Sequence, residues 1–314
     1  MSRPVALVTE SIDDACRQWL AERCDLRAVA PTDAGFDAQL ATAHALVVRT
    51  YTTVDEALLA KAPNLRVVGR AGVGLDNIDL HACRLRDVVV VHTPEANTEA
   101  VVEFTVARML QALRPLREVA QSMPAEQWKR LRDALITPRQ ASGATLGVLG
   151  FGRIGSRVAR TARSLGMRVL YTDLDEIPGA AAFGAEPVDR DTLLRESDVL
   201  TIHVDGRPEN RGLLGARDLG LCKPECAIIN TARGFVLDAG AVAVWLLANP
   251  KASAWLDVHE PEPIPDDYPL LGLNNAHLTP HIAAATRRAK TNMSWVVQDV
   301  WRVLAGEQAR WRAV

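Results

Sequence analysis

Short runs of apolar, mostly β-branched residues recur along this 314-residue chain and alternate with helical patterns. Runs that are apolar at every position are typical of strands buried on both faces, as in parallel sheets covered by helices. Nine strands are predicted around runs of this kind: 5–8, 45–48, 65–69, 88–91, 145–149, 168–172, 198–203, 227–230 and 254–257. The alternation predicts the α/β class, with two doubly wound parallel-sheet domains.

Helical patterns occupy the segments between these strands. Ser11 is a candidate N-cap for the first helix, and a long helix is predicted over 98–123, kinked or ended early by Pro115. A last helix is predicted over 286–304. The stretch 123–144 is the most polar and least periodic part of the chain. It is interpreted as a linker or as an arm that reaches a partner subunit.

The even charge balance argues against several classes of partner. Lys and Arg number 36 and Asp and Glu 38, a formal net charge of −2, which offers no bulk attraction to nucleic acid or anionic membranes. No apolar run reaches the ~20 residues that span a bilayer, and the amino-terminal run is too short for a secretion signal. Five cysteines without metal spacing are typical of a reducing compartment. We therefore expect a cytoplasmic protein without a metal site.

The sharpest local pattern is Gly150-Phe-Gly152-Arg-Ile-Gly155, which follows a predicted strand and opens a predicted helix. Gly150 allows the tight turn, Gly152 lets the backbone approach a pyrophosphate, and Gly155 lets helix and strand pack closely. The helix N-terminus offers free N–H groups to phosphates. Asp173 ends the next strand, where a carboxylate accepts hydrogen bonds from the adenosine ribose and repels a 2′-phosphate. The pattern therefore predicts an NAD site and disfavours NADP.

Three ionisable residues follow strands of the second series: Arg233, Glu262 and His281. Ligands of open parallel sheets bind beyond the carboxyl ends of the strands, so the three residues are predicted to converge on one crevice. An arginine can hold a carboxylate through two hydrogen bonds, a histidine can exchange a proton with a hydroxyl, and a glutamate can orient the imidazole. Taken singly, each residue also has a structural interpretation. Arg233 fits a surface ion pair, Glu262 fits a Pro-rich loop without a catalytic role, and His281 fits a loop histidine hydrogen-bonded to the backbone.

On these motifs the chain resembles the D-2-hydroxyacid dehydrogenase family, in particular its phosphoglycerate-dehydrogenase-like branch. The motifs occur in the family's order and cover nearly the whole chain: 47–50, 68–79, 147–155, 230–234, 257–263 and 279–282. The resemblance implies a Rossmann NAD-binding domain over 98–284. It would be inserted in a flavodoxin-like substrate (catalytic) domain made of 1–97 and 285–314.

The resemblance also implies roles for individual residues. Arg233 would bind the carboxylate and carbonyl oxygen of the substrate, and His281, paired with Glu262, would be the general acid/base. The implied substrate-binding groups are Arg49 and the backbone N–H groups of Val73 and Gly74. The implied cofactor-binding residues are Gly150, Gly152, Arg153, Ile154, Gly155, Asp173, His203, Val204, Thr231 and Asp257. His259 departs from the family, in which this position is usually aromatic.

The implied activity is hydride transfer between NAD(H) and a D-2-hydroxy acid or its 2-oxo acid. D-3-phosphoglycerate and glyoxylate- or hydroxypyruvate-type acids are the candidate substrates. Glu262 argues against formate, because the related formate dehydrogenases pair their histidine with glutamine. The alternative is an NAD(H)-sensing binding protein similar to the C-terminal-binding-protein corepressors, with little or no turnover. Because the family usually forms dimers through its NAD domain, we expect a homodimer.

Overall fold

The computed structural model describes residues 3–137, 139–177, 179–180 and 184–314. The chain divides into two compact units: unit 1 comprises Met1–Thr98 and Ala284–Val314, and unit 2 comprises Glu99–Ala283. Each unit is built on one sheet, of five strands in unit 1 and seven in unit 2, and all neighbouring strands are parallel. The predicted α/β class, with two doubly wound parallel sheets, is confirmed.

The strands of unit 1 are β1 (Val5–Val8), β2 (Asp25–Ala28), β3 (Ala45–Val48), β4 (Val67–Arg70) and β5 (Val89–Val91). Their spatial order is β2-β1-β3-β4-β5, the order of flavodoxin-like sheets. The intervening helices are α1 (Asp14–Ala21), α2 (Phe36–Leu40), α3 (Glu56–Ala60) and α4 (Leu80–Leu85). Aspartates that precede α1, α3 and α4 accept a hydrogen bond from the first turn of the helix and so fix its start.

The helices of unit 2 are α5 (Thr98–Leu113, which starts at the unit boundary), α6 (Ala125–Ala134), α7 (Arg153–Ser164), α8 (Arg190–Glu196), α9 (Ala216–Leu219) and α10 (Ala239–Ala248). Its strands are β6 (Thr145–Leu149), β7 (Arg168–Thr172), β8 (Ala185–Pro187), β9 (Val199–Ile202), β10 (Ala227–Asn230), β11 (Ser253–Leu256) and β12 (Ala276–Leu278). The spatial order is β12-β11-β10-β9-β6-β7-β8. This is the Rossmann order with a seventh strand at one edge. From β6 the chain first adds strands on one side, β7 and β8, and then crosses to the other side with β9, so the strand order reverses between β6 and β9.

The chain returns to unit 1 with α11 (Arg287–Ser294) and α12 (Val297–Leu304). Buried residues of α12 pack with those of β1, β3 and β4 in one apolar cluster. The close approach depends on Gly69, since a Cβ at this position would lie 2.4 Å from a methyl group of Val300. In the described ranges, none of the helices has the length and apolar character needed to cross a bilayer.

Three strands that the sequence patterns do not predict are β2, β8 and β12, and each is an edge strand. Edge strands face solvent on one side, so they need no unbroken apolar run. Most residues of these three strands are partly or fully exposed. The pattern of complete burial therefore finds the inner strands and misses these outer ones.

Several predicted helix bounds are wrong. The first helix is capped by Asp13 rather than Ser11, because the Asp13 carboxylate accepts from the N–H of Ala15 at 3.0 Å. The helix predicted over 98–123 ends at Leu113, which confirms the expected early end at Pro115, because the residue before a proline disfavours helix. The stretch 123–144 contains α6, and the last predicted helix is divided in two by a tightened turn at 295–296.

A glutamate organises the carboxyl edge of the unit 1 sheet. The carboxylate of Glu10, just after β1, accepts hydrogen bonds from all four backbone N–H groups of the loop 49–52, at 3.0 to 3.1 Å. The side-chain amide of Asn77 holds the same loop, because it donates to the carbonyl oxygens of Arg49 and Thr52 at 3.0 and 2.7 Å. Burial would raise the pKa of Glu10, but the four N–H donors outweigh it and lower the pKa.

We expect Glu10→Gln to lower the free energy of unfolding by about 1–3 kcal/mol at pH 7, because a charged acceptor of several N–H groups is lost. The lowered pKa means that the folded state favours ionised Glu10. Its contribution to stability is therefore present above the unfolded-state pKa and is lost as the pH falls through the folded-state pKa. Urea unfolding should be measured at a series of pH values from 7 downward. The difference in the free energy of unfolding between wild type and E10Q should disappear only below about pH 4. The exposed Glu307→Gln is the matched control, and equal stability of E10Q and wild type at pH 7 would contradict the assignment.

Candidate active site

The glycine turn joins β6 to α7 at the point where the strand order of unit 2 reverses. Gly150 adopts a φ of +92°, and a Cβ there would lie 2.7 Å from the backbone of His203. A Cβ at Gly155 would lie 2.1 Å from the carbonyl oxygen of Gly150. Gly152, by contrast, is exposed and has open space where its Cβ would be. Two of the glycines are therefore needed by the fold, whereas the third leaves the helix N-terminus accessible.

Asp173 follows β7 and lies against the glycine turn. One carboxylate oxygen accepts from the N–H of Phe151 at 2.5 Å, and the other accepts from the N–H groups of Leu174 and Asp175 at 2.7 and 3.3 Å. These bonds fix the carboxylate beside the turn while leaving it partly exposed. Each carboxylate oxygen has more than one lone-pair site, so the group can still accept from a ribose hydroxyl.

The turn after β9 packs on the glycine turn. Strand β9 is the neighbour of β6 on the side opposite to β7, across the point where the strand order reverses. His203 and Val204 contact Gly150 through their backbone atoms. Burial lowers the pKa of His203 to about 3, so its imidazole is neutral, and its Nε2 lies 2.9 Å from the hydroxyl of Thr201. Arg153 and Ile154 open α7 directly after Gly152. These residues form one continuous surface at the carboxyl ends of β6, β7 and β9.

Arg233 follows β10 in a turn that Asn230 builds. The fully buried amide of Asn230 donates to the carbonyl of Arg233 at 2.9 Å and accepts from the N–H of Ala232 at 3.0 Å. Arg233 itself is partly exposed and donates to the carbonyl of Ala232 at 2.7 Å. Thr231, in the same turn, places its hydroxyl 3.4 Å from that of Thr105 on α5.

Glu262 and His281 come together although 19 residues separate them in the sequence. Oε2 of Glu262 lies 2.9 Å from Nδ1 of His281, and its Oε1 accepts from the N–H of His259 at 2.8 Å. Burial would raise the pKa of Glu262, but the hydrogen bonds from His281 and His259 outweigh it and hold the pKa below its usual range. The His281 side chain is 44% exposed, so its ring is accessible on the side away from the glutamate.

Asp257 fixes the loop that carries His281. Its buried carboxylate accepts from the hydroxyl of Thr279 at 2.6 Å and from the N–H groups of Ile282 and Ala283 at 2.9 and 2.7 Å. His281 has a φ of +55°, a left-handed conformation that is uncommon outside glycine. The hydrogen bonds of Asp257 on both sides stabilise that conformation. In this structure, therefore, the aspartate that the family resemblance assigns to the cofactor holds the histidine loop.

His259 joins the loops of Glu262 and His281, a role that the sequence reasoning did not assign. Its backbone N–H donates to Glu262, and its Nε2 lies 2.9 Å from the carbonyl of Thr279. The turn of Arg233 reaches the same point, since a Cβ at Gly234 would lie 2.0 Å from the His259 backbone. The sequence offered one clue, the departure from the aromatic residue that is usual at this position.

In unit 1, the predicted substrate-binding residues follow two neighbouring strands. Arg49 follows β3, and its guanidinium donates to the carbonyl of Ser11 at 3.0 Å. Val73 and Gly74 follow β4 and are partly exposed. Among the described residues of unit 1, their N–H groups have no hydrogen-bond acceptor. Both features lie at the carboxyl edge of the unit 1 sheet.

Comparison with known proteins connects this arrangement to one family. The model of the D-isomer specific 2-hydroxyacid dehydrogenase, NAD binding domain, matches residues 106–283. A D-3-phosphoglycerate dehydrogenase of Archaeoglobus fulgidus is 40% identical over 85% of this chain and 50% of its own length. A glyoxylate reductase of Aeropyrum pernix is 35% identical over 95% of this chain and 92% of its own.

Solved structures give the same result. The D-lactate dehydrogenase from Aquifex aeolicus, complexed with NAD and lactic acid, is 28% identical, with a TM-score of 0.83 over 96% of each chain. The present chain spans only about half the length of the D-3-phosphoglycerate dehydrogenases that it matches, 50% to 58%. The family model nevertheless covers more than half of this chain. The chain belongs to the D-isomer specific 2-hydroxyacid dehydrogenase family, and residues 106–283 match the NAD-binding domain of that family.

Proposed function

We propose that this protein is an NAD-dependent D-2-hydroxyacid dehydrogenase, with unit 2 binding the dinucleotide and unit 1 acting as the substrate (catalytic) domain. The observation that carries the proposal is the pair of Glu262 and His281, 2.9 Å apart, on the sheet that also carries the glycine turn. Turnover needs such a paired, accessible histidine, because a proton must enter or leave the substrate oxygen. A protein that only senses NAD(H) can keep the same pair, so the activity assay below separates the two functions.

The residues around the glycine turn fit NAD. The open space at Gly152 admits a pyrophosphate to the N-terminus of α7, and the fixed carboxylate of Asp173 suits a ribose with two free hydroxyls. NAD(H), when bound, supplies or accepts the hydride. The same carboxylate would repel the additional phosphate of NADP, so NAD is the preferred cofactor.

His281 serves as general acid in the reducing direction and as general base in the reverse. The Glu262 carboxylate accepts from Nδ1–H of His281, which leaves Nε2 as the atom that exchanges a proton with the substrate oxygen. Because the pKa of Glu262 is held low, the carboxylate stays ionised and stabilises the protonated imidazole. Arg233 binds the substrate carboxylate and the carbonyl oxygen, on which negative charge develops.

The substrate is a 2-hydroxy acid or its 2-oxo acid, and the relatives narrow the choice. The Aeropyrum pernix relative, named glyoxylate reductase, matches nearly the whole of both chains, which favours a small acid of the glyoxylate or hydroxypyruvate type. D-3-phosphoglycerate is the second candidate, since the Archaeoglobus fulgidus relative carries that name. Arg49 and the N–H groups of Val73 and Gly74 are the proposed binding groups of unit 1.

The assembly we propose is a homodimer formed through unit 2. From the last turns of α5 to the residues just after α6, several large apolar side chains are exposed: Leu110, Leu116, Val119, Trp128, Leu135 and Ile136. Leu116 is 84% and Ile136 76% exposed, and large apolar side chains exposed along one stretch of chain favour association. The proposed location is the cytoplasm, because all five cysteines are buried free thiols, as suits a reducing compartment.

We expect Gly152→Ala to weaken NADH binding by about tenfold or more, through a methyl group in the path of the pyrophosphate. The thermal midpoint should stay near that of wild type, because no atom of the fold lies within 4 Å of the added Cβ. Gly155→Ala is the contrasting variant, and it should lower the midpoint through its clash with Gly150. Fluorescence titration with NADH and thermal unfolding measure both. An unchanged NADH affinity in G152A would contradict the assigned cradle.

Oxidation of NADH at 340 nm tests the activity directly. Glyoxylate, hydroxypyruvate, phosphohydroxypyruvate, pyruvate and bulkier 2-oxo acids should be compared, each also with NADPH. We expect turnover with at least one acid and a preference for NADH. His281→Ala should lower kcat by about 10²–10⁴-fold with NADH affinity retained, while the exposed His81→Ala should match wild type. Silence of the wild type toward every acid would sink the dehydrogenase proposal and favour the sensor.

Light scattering of the native protein should give twice the mass of one chain. Replacing Leu116 and Trp128 together by Asp should shift the protein to monomers, because two charges would be buried without partners in the interface. Leu85→Asp, at an exposed leucine of α4 in unit 1, is the control and should leave the dimer intact. A wild-type monomer at micromolar concentration would refute the proposed assembly.

A further inference from the structure

The loop 72–74 of unit 1 is held by its carbonyl groups from the end of β5. The carbonyl oxygen of Gly72 accepts from both the N–H and the hydroxyl of Thr93, at 3.1 and 3.2 Å. The carbonyl oxygen of Val73 lies 3.0 Å from Nδ1 of His92. A carbonyl oxygen only accepts, so this contact requires the proton of the imidazole to be on Nδ1. Two successive carbonyls are thus fixed by two successive side chains.

Fixing these carbonyls also fixes two N–H groups. In a planar trans peptide group the C=O and N–H bonds point in opposite directions. The carbonyl of Gly72 shares a peptide group with the N–H of Val73, and the carbonyl of Val73 shares one with the N–H of Gly74. Because both carbonyls point toward 92–93, both N–H groups point away from it. Among the described residues of unit 1, neither N–H meets an acceptor.

We infer that His92 and Thr93 are positioning residues that aim the N–H groups of Val73 and Gly74 at the substrate carboxylate. The inference rests on the proposed function, in which these N–H groups bind that carboxylate. Paired N–H groups pointing in one direction are the backbone arrangement that binds anions elsewhere. Without its carbonyl partners each peptide group could rotate, and the pair would no longer converge on one oxygen atom.

Substitution of His92 and of Thr93 removes a different share of the hydrogen bonds that hold the two carbonyl groups. Among the described residues of unit 1, His92 alone forms a hydrogen bond with the Val73 carbonyl, so replacing it by leucine leaves that peptide group without this support. Thr93 holds Gly72 through two donors, so Thr93→Val removes one and keeps the backbone N–H. Asparagine at position 92 offers an amide donor of similar reach to Nδ1. The inference therefore predicts a graded series, with H92L most affected, T93V less and H92N close to wild type.

Steady-state kinetics on the full chain test this series with the 2-oxo acid that wild type prefers. We expect H92L to raise KM about tenfold, the effect of about 1.4 kcal/mol, with a smaller change in kcat and no change in the Kd of NADH. H92N should restore KM, which a general loss of packing would not allow. The binding of oxalate to the NADH-loaded protein, followed by NADH fluorescence, should weaken by the same factor. The control is His81→Asn, an exposed histidine on α4, which should match wild type.

The outcomes separate this inference from the function on which it rests. If wild type reduces a 2-oxo acid and H92L keeps the wild-type KM, the inference is wrong and the function stands. A lower kcat at unchanged KM in H92L would overturn it equally. If wild type reduces no 2-oxo acid, the proposed function fails and takes the inference with it. If H92L does not fold, T93V decides, since a wild-type KM in a T93V protein of normal thermal midpoint would overturn the inference.

Discussion

The parallel pairing of strands is the constraint on which the rest of the molecule depends. When every strand in a sheet runs in the same direction, all carboxyl ends meet at one edge, and each strand is followed by a crossover connection, usually through a helix. The residues proposed to bind cofactor or substrate, or to transfer the proton, follow a strand or lie in the first turn of the next helix. The glycine turn, Arg233 and His281 belong to such loops in unit 2, and Arg49 and Val73 to such loops in unit 1. The candidate functional residues are therefore concentrated at the carboxyl ends of the strands in both sheets, and the parallel arrangement alone is enough to place them there.

Loops at these edges are fixed mainly by buried or half-buried side chains that replace missing backbone partners. Glu10 accepts from four successive N–H groups, Asp257 from two N–H groups and a hydroxyl, and Asn230 both accepts and donates. A loop outside a helix or sheet has no regular partners for its N–H and C=O groups, and burying those groups unpaired is costly. One carboxylate or amide that serves several of them makes a loop rigid enough to position Arg49, His281 or Arg233.

The parts of the fold that sequence could predict are those in which a single local rule operates. The inner strands are predictable because burial on both faces demands apolar side chains. The Gly150–Gly155 turn is predictable because a Cβ at Gly150 or Gly155 would clash with backbone atoms. The edge strand β12 is not predicted because it is only three residues long and its central residue, His277, is exposed. Glu262 and His281 could be singled out by their chemistry and their position after strands. The supporting roles of Asp257, His259 and Glu10 depend on contacts between distant segments, which no local pattern records.

The packing of α12 has a consequence for the order in which the protein is made. This helix covers β4 through the gap left by Gly69, yet it is synthesised after the whole of unit 2, whereas β4 is synthesised before unit 2. Unit 2, which lies between them in the chain, is complete before α12 has been synthesised. The strands β1 to β5 therefore keep one apolar face uncovered while unit 2 folds. Unit 1 is completed after unit 2, although its synthesis begins first. A chaperone that shields this face during synthesis would act on the first strands rather than on the last.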